Sequence, residues 1–546
     1  MTEANGSTTK NPKVRVVIDG REIEATAGAP LLEAALDNGI EIPHYCYHPK
    51  LSIDGSCRMC QVQIQGQKKL AIACNTPCTE GLVVDTRSDE VADARRGVME
   101  LLLVNHPLDC PICDQAGECY LQDYSFEHGS HHARTTAPRR KGVKRVPIGP
   151  RVVFDQERCI LCRRCVRFTN EISETNELRV FGIGDTSYIG TLEGRPLDNP
   201  YSVNVADVCP VGALLSSDFH HKRRVWFLEE TESVCPGCSN GCNIKIGAFR
   251  EEIQRLVPRR NDAVNETWMC DAGRLGYGFV GAADRIREAR VCDDQGQQVV
   301  ALDAAITAAA AALRRVREEH GAGAIGIVAS GHLTNEEYFR LAGLARETLT
   351  TVSVDLAVPL GEGDDFLIRA DKAANARGAR EMGLVPGDAG RDLAGILNAV
   401  EAGEIRLLWI IGSKDFEAVV GTERALAIAG RLETLILQDV QPSGLSDKAT
   451  IQLPGATWAE KAGTFTNYAG RVQRIRPAVH SPEGVLLDGE IFAALTGALS
   501  GRAAVPFVPS SVFDEIAAAV GAYAGLAHQS LGGAGTNPAD VTEGVG

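Results

Sequence analysis

Sixteen side chains of metal-binding type fall into four consecutive groups of four within the first half of this 546-residue chain. Cys46, Cys57, Cys60 and Cys74 come first, followed by His106, Cys110, Cys113 and Cys119. Cys159, Cys162, Cys165 and Cys209 form the third set, and Cys235, Cys238, Cys242 and Cys270 the fourth. Together they use fifteen of the seventeen cysteines, leaving Cys78 and Cys292. Disulfide frameworks belong to small secreted domains with an export signal. Here the cysteines sit at C-x-x-C spacings in a large chain whose start, MTEANGSTTKNPK, is polar and lacks an apolar signal core. Metal ligation is the better reading. One reaction centre needs one metal or one cluster, whereas four in series describe a conduit for charge.

Each spacing limits the metal. The first set reads C-x10-C-x2-C-x13-C, with Cys57 and Cys60 on the glycine-containing loop DGSCRMC just ahead of a strand. A long first gap and a central C-x-x-C pair suit a [2Fe–2S] cluster of plant type, although that pattern has a shorter first gap. Cys78 competes for the fourth place, and Cys74 is preferred. The second set, H-x3-C-x2-C-x5-C, puts His106 where a fourth thiolate is missing. Neutral imidazole in place of a thiolate reduces a cluster's negative charge and shifts its potential. The third set is the most specific: C-x2-C-x2-C with a distant Cys209-Pro210, as in bacterial [4Fe–4S] ferredoxins. A second cluster of that kind would need cysteines ten, seven and four residues before Cys209, where Asn199, Ser202 and Val205 stand. One [4Fe–4S] centre is expected there. The fourth set, C-x2-C-x3-C-x27-C, suits a cubane better than zinc, for which paired C-x2-C knuckles are usual. Zinc is the competing metal for the first and fourth sets.

The elements that must hold these sets follow from the intervening sequence. VRVVIDGREIEATA alternates like a strand pair around Asp19-Gly20. Pro30 opens the helical run LLEAALDNG, which Gly39 ends. CQVQIQG and GLVVDT supply two more strands, which completes the outline of a β-grasp ferredoxin. Helix-favouring sequence from about 88 to 105 leads into His106. Residues 131–151 form a basic connector, either a solvated linker or a docking strip for an acidic partner. After residue 300, AIGIVAS, TVSVDL, RLLWIIG and LILQDV read as strands between helices, which argues for a mostly parallel α/β sheet. The last 25 or so residues, rich in glycine, read as a loose tail.

The formal charge of −15 argues against a general nucleic-acid binder. No stretch approaches the roughly 20 apolar residues that span a bilayer, so membrane association is expected only through partners.

These ligand sets, together with LPGATWAEKAGTFTNYAGRVQ at 453–473, resemble the large iron–sulfur subunit of NADH:quinone oxidoreductase, respiratory complex I (the 75 kDa or G subunit). The resemblance covers nearly the whole chain. Through about residue 215 it holds at every ligand spacing, and the fourth set corresponds to an extra cluster of some bacterial members. It implies an α+β and α/β multidomain fold: a [2Fe–2S] ferredoxin-like domain over 1–90, a His/Cys-ligated [4Fe–4S] domain over 91–130 and a ferredoxin-like [4Fe–4S] domain over 131–220. A further [4Fe–4S] domain over 221–285 precedes a truncated molybdopterin-oxidoreductase-like domain over 286–500 and a tail over 501–546. One [2Fe–2S] and three [4Fe–4S] clusters are implied, with no molybdopterin and no catalytic residue.

The implied partners are a flavin- and NADH-binding subunit and other peripheral-arm subunits, on the cytoplasmic side of a bacterial inner membrane. In the family the fourth cluster lies off the main relay, so a structural role is expected for it. The rivals are an NAD-linked formate dehydrogenase, a hydrogenase with the same front half, and a zinc scaffold. Cys292 is the only cysteine after Cys270, and CDAGRLG puts Arg274 where formate dehydrogenases carry lysine. Both features speak against a molybdenum enzyme.

Overall fold

Asp19 and Gly20 both take positive φ, 51° and 80°, the turn whose twist matches that of paired strands. It joins β1 (Lys13–Ile18) to β2 (Arg21–Thr26) in antiparallel register. The computed structural model describes residues 12–130, 132–136, 138–386 and 390–539. The polar start of the chain and the last seven residues therefore lie outside the described residues. Proline presets a helical φ and lacks an N–H that a first turn could not use, so Pro30 leads directly into α1 (Leu31–Asp37). With β3 (Gln61–Ile64), β4 (Ala71–Ile72) and β5 (Leu82–Asp85), the sheet runs β2-β1-β5-β3-β4, and β1 and β5 are parallel. α1 buries Leu31, Leu32 and Ala35 in one core with Val16, Ile18 and Val84. This is the expected β-grasp layer.

α2 (Asp89–Leu103) starts behind Ser88, whose hydroxyl accepts from the Val91 N–H at 3.4 Å. α3 (Tyr120–His128) starts behind Cys119. There follow β6 (Val146–Pro147), β7 (Val152–Phe154), α4 (Arg164–Glu171), β8 (Leu178–Phe181), β9 (Tyr188–Thr191), α5 (Asn204–Val208) and β10 (Leu214–Ser216). β10, β7 and β6 form one small sheet, β8 and β9 another. Within the basic connector, Arg134 pairs with Glu100, Arg140 with Asp185, and Lys144 with Asp109, Asp155 and Glu157. The connector is exposed to solvent and is tethered to its own unit by these pairs.

One compact unit ends at Phe227 and a second begins at Leu228. The second opens with a meander, β11 (Glu229–Val234), β12 (Asn243–Phe249) and β13 (Glu252–Pro258), followed by α6 (Asp271–Leu275). β14 (Ala289–Asp293), β15 (Gly296–Val300), α7 (Leu302–His320), β16 (Ile325–Ser330), α8 (Asn335–Gly343), β17 (Val354–Ala357), α9 (Ala376–Glu381) and α10 (Leu393–Glu401) come next. β18 (Leu407–Ile411), α11 (Ser413–Val420), α12 (Thr422–Ala429), β19 (Thr434–Asp439) and β20 (Ile451–Pro454) complete a seven-stranded sheet ordered β15-β14-β20-β19-β18-β16-β17. It is parallel from β20 to β17. Every residue of β16, β18 and β19 is buried, the pattern of strands covered on both faces by helices. β21 (Gly463–Thr466) and β22 (Val472–Ile475) pair beside it, and α13 (Asp488–Ser500) and α14 (Pro509–Ala519) close the unit.

Through residue 539, the last described, the C-terminal segment is not the loose tail that its glycine content suggested. α14 buries Val512, Phe513 and Ile516, Tyr523 and Leu531 join the same core, and Thr536 exchanges two backbone hydrogen bonds with Val472. Its glycines supply turns, and a few large apolar anchors outweigh the average composition. Tyr523 is fully buried and its hydroxyl donates to Glu381 Oε2 at 2.8 Å. Tyr523→Ala should destabilise this unit by about 3 kcal/mol or more, read as a lower denaturant midpoint. A loss below about 0.5 kcal/mol would mark the segment as a surface tail.

Glu336 is fully buried, accepting from the Thr464 N–H and hydroxyl, each at 2.9 Å. Burial pushes its carboxyl from 4.5 up to about 7. The folded state thus holds a proton that the unfolded chain releases, and this contribution is complete below about pH 4.5 and is lost as pH rises through 7. Glu336→Gln should remove a stability slope worth about 3 kcal/mol across that window, measured by denaturation at pH 5 and pH 8.

Candidate metal centres

Cys46, Cys60 and Cys74 of the first set are buried and Cys57 is partly so. Gly55 (φ 65°) and Arg58 (φ 58°) curl the loop on either side of Cys57. Cys57 hydrogen-bonds Cys46, holding Cys46 down to about 5 and pushing Cys57 up. Cys60 and Cys74 form a second such pair, in which Cys60 is held down and Cys74 pushed up. Cys74 feels all three other thiols. Cys78 stands apart: its carbonyl accepts from Gly28, its N–H donates to Ala29, and burial alone raises its thiol.

The second set occupies the loop from α2 to α3. His106, Cys110 and Cys119 line one cavity of about 530 Å³. Burial pushes Cys119 up to about 11, with Cys113 and Cys110 adding to the rise. Burial, seconded by Arg158, holds the His106 imidazole down at about 4, so it is neutral near pH 7. Neutral imidazole is the form that binds metal.

Four cysteines, Cys159, Cys162, Cys165 and Cys209, wall a small cavity together with Phe154 and Ile189. Leu161 and Arg163 take left-handed φ of 55° and 59°, a strained conformation for residues with a side chain, and so wind the loop around that space. The Leu161 N–H donates to Cys159 Sγ at 3.4 Å. Burial raises Cys209, while backbone N–H groups of Val211, Leu214 and Ala213 oppose the rise. Burial pushes Cys162 up to about 11, and Arg164 and Arg167 act against it. Asn199, Ser202 and Val205, where a second ferredoxin cluster would need cysteines, are buried protein interior.

Residues flanking the third set reach the second. A Cβ on Gly212, three residues after Cys209, would lie 2.2 Å from Cys113 Sγ. Arg158, beside Cys159, donates to the Gly212 carbonyl at 3.5 Å and to Asp109, beside Cys110, at 3.0 Å. Toward the first set, Arg164 donates to the Tyr47 and Val208 carbonyls, and Arg167 to the Ser52, Cys46 and Cys162 carbonyls. None of these linking residues stands out in the sequence. A glycine just after C-P and arginines between cysteines are the only hints.

In the second unit, Cys235, Cys238 and Cys242 are buried between β11 and β12, with Cys270 at the start of α6. The Asn240 side chain donates to Cys242 Sγ at 3.1 Å and the Gly273 N–H to Cys270 Sγ at 3.3 Å. A Cβ on Gly273 would stand 2.8 Å from Cys235 Sγ. Across the four sets, clustered thiols, N–H donors aimed at sulfur and glycines kept bare beside sulfur fit iron–sulfur clusters. Backbone donors to sulfur are how proteins tune such centres.

The parallel sheet holds a separate cavity of about 310 Å³ at the C-terminal ends of β16, β18 and β19, where such sheets bind ligands. Lys461 is buried at its wall, paired with Glu337 at 2.8 Å and Asp488 at 3.0 Å. Among the described residues no cysteine lines it, and Cys292 is exposed on β14. This donor set does not fit a molybdenum or tungsten centre held by a cysteine.

Residues 11–89 match the family described as a 2Fe-2S iron-sulfur cluster binding domain. Residues 95–134 match the NADH-ubiquinone oxidoreductase-G iron-sulfur binding region, and 149–215 the ferredoxin-like domain of NADH-quinone oxidoreductase subunit 3. Residues 228–278 match the NuoG-like 4Fe-4S domain, and 361–498 match molybdopterin oxidoreductase. The NADH-quinone oxidoreductase G subunit of Streptomyces coelicolor is 38% identical over 359 residues, 65% of this chain and 42% of that protein. The mitochondrial NADH-ubiquinone oxidoreductase 78 kDa subunit of Candida albicans is 38% identical over 318 residues, 58% of this chain and 44% of its own. The NADPH-Fe(3+) oxidoreductase alpha subunit of Geobacter sulfurreducens is 36% identical over 348 residues, 64% of this chain and 40% of its own. The matched region thus spans less than half the length of each relative.

Gly212→Ala should place its methyl against Cys113 Sγ and impair loading of the second set, lowering iron content and the matching electron paramagnetic resonance (EPR) signal. Gly278→Ala, where an added Cβ meets nothing within 4 Å, should leave both unchanged. Equal signals from the two variants would show that the close approach carries no consequence.

Proposed function

From homology to the G subunit of NADH-quinone oxidoreductase across the iron–sulfur half, we propose that this chain is the iron–sulfur electron-relay subunit of such a complex. Electrons that began on NADH, at a flavin in a partner subunit, enter here and leave toward quinone-side subunits, coupled to ion translocation by the complex. The observation that carries this reading is the contact chain within the first unit. Gly212, three residues after Cys209, lies against Cys113 of the second set, and Arg167 bonds the carbonyls of Cys162 in the third set and Cys46 in the first.

The proposed ligands are Cys46, Cys57, Cys60 and Cys74 for a [2Fe–2S] cluster, and the other three sets for [4Fe–4S] clusters. When bound, each cluster supplies one-electron redox chemistry. The chain's part is to hold ligand residues in contact, exclude water and fix the surrounding charge. Neutral His106 removes one negative charge from the second site. No helix of the described residues is long and apolar enough to cross a membrane. Attachment through neighbouring subunits, on the cytoplasmic face of a bacterial inner membrane, accords with that. The fourth set is assigned a structural role.

The Geobacter relative, named an NADPH-Fe(3+) oxidoreductase subunit, favours a second reading, in which NADPH is the donor and Fe(3+) the acceptor. Anaerobic purification of the assembled complex decides between them. Iron near ~14 per chain, from one two-iron and three four-iron centres, with EPR signals reduced by NADH and quinone reductase activity, is expected. Reduction by NADPH alone would favour the second reading, and zinc in place of iron would sink both. Cys209→Ala should abolish one [4Fe–4S] signal. His106→Cys should lower the second centre's midpoint, since it adds a negative charge.

A further inference from the structure

Most buried arginines of a protein face a carboxylate, because an unpaired charge costs several kcal/mol to bury. Arg158 follows this rule, with Asp109 at 3.0 Å and Asp155 at 3.4 Å. So does Arg285, paired with Glu460. Arg164 and Arg167 depart from it. They are 5% and 8% exposed, and among the described residues their side-chain partners are all backbone carbonyls. The Nε of each finds no partner at all. Carbonyl oxygens carry partial charge and satisfy donors, but they do not neutralise a cation.

The carbonyls concerned are not scattered. Arg167 Nη2 donates both to Cys46, a residue of the first set, and to Cys162, a residue of the third. Arg164 donates to Tyr47, next to Cys46, and to Val208, next to Cys209. Both side chains leave the first turn and middle of α4, whose start carries Cys165. Two uncompensated cations therefore sit where the backbones of two thiol-rich sets meet.

We infer that Arg164 and Arg167 are the counter-cations of the anionic centres held by the first and third sets, and that Arg167 also fixes the spacing across which an electron passes between them. This rests on the relay reading, since the missing negative charge is that of the bound clusters. Transfer oxidises one centre by one electron and reduces the other by one, and no proton moves. A fixed cation makes electron gain easier at both centres, and a clamp from a single nitrogen keeps their ligand residues in register. Both arginines are positioning residues, as neither ligates.

The test is anaerobic redox titration by EPR of the assembled complex carrying Arg167→Gln or Arg167→Lys. Arg167→Gln should lower the third-set midpoint by about tenfold in equilibrium constant, about 59 mV for one electron. The first-set midpoint should fall as well, and the second-set midpoint should stay put. Arg167→Lys restores the charge without the fork, so the midpoints should return toward wild type while spin–spin interaction between the two centres weakens. Failure of the Gln variant to load the third set, with the Lys variant loading it, also supports a charge role. Unmoved midpoints in Arg167→Gln would overturn the inference, as would equal shifts or equal loading failure in both variants. Absence of cluster signals from the wild-type complex would overturn the relay reading instead, and the two failures are thereby distinguished.

Discussion

Clustered thiols, most of them buried, would carry negative charge into a place with little water, and the residues near them answer that constraint. Burial is the chief cause that raises the thiols of the third and fourth sets, which measures how poorly an unassisted interior tolerates a thiolate. The chain responds with backbone N–H groups, Asn240 and arginines. It also responds with shape. Leu161 and Arg163 accept left-handed backbone so that a loop of two-residue gaps can enclose a small space, and Gly212 and Gly273 forgo a side chain beside sulfur. Strain of this kind persists where the surroundings over-determine it. The β-grasp sheet and the helices that flank each loop supply that support.

Two different devices adjust charge within one unit. At the second set the fourth side chain is an imidazole, neutral near pH 7, and the neighbouring cation, Arg158, is already balanced by Asp109 and Asp155. At the third set all four candidate side chains are thiols, and Arg164 and Arg167 are left without carboxylates. With clusters bound as proposed, one site would have less negative charge in its ligand shell and the other would meet its negative charge with fixed cations. Both routes would ease reduction, so the proposed centres of the same type could hold different potentials on one scaffold.

Ligand spacing made the sets legible because C-x-x-C loops and C-P act locally: their geometry is decided by residues a few positions apart. Hairpin, capped helices and buried strands were legible for the same reason, since Asp19-Gly20, Ser88 and the apolar runs of β16, β18 and β19 each specify their own short stretch. What the sequence hid depends on distant partners. Gly212 matters because Cys113 lies against it, Arg167 because Cys46 and Cys162 meet there, and the pairing of Lys144 with three acids tethers the exposed connector. The C-terminal segment was misread because composition averages over a few buried anchors, Tyr523 and Leu531 among them.

The second unit shows why a fold and its chemistry must be argued separately. Its parallel sheet keeps the architecture of a ligand-binding domain, and its cavity opens at the strand ends where ligands sit in such sheets. Yet the wall carries Lys461 locked between Glu337 and Asp488, all nearly fully buried. Such a triad is costly to assemble and costlier to break, because removing one member strands the others in a low-dielectric interior. It ties α8 and α13 to the segment before β21, so its net effect is to hold the layers of this unit in one arrangement. The same wall that faces the cavity is thus also a tie between layers, so the triad has a structural role whatever the cavity holds.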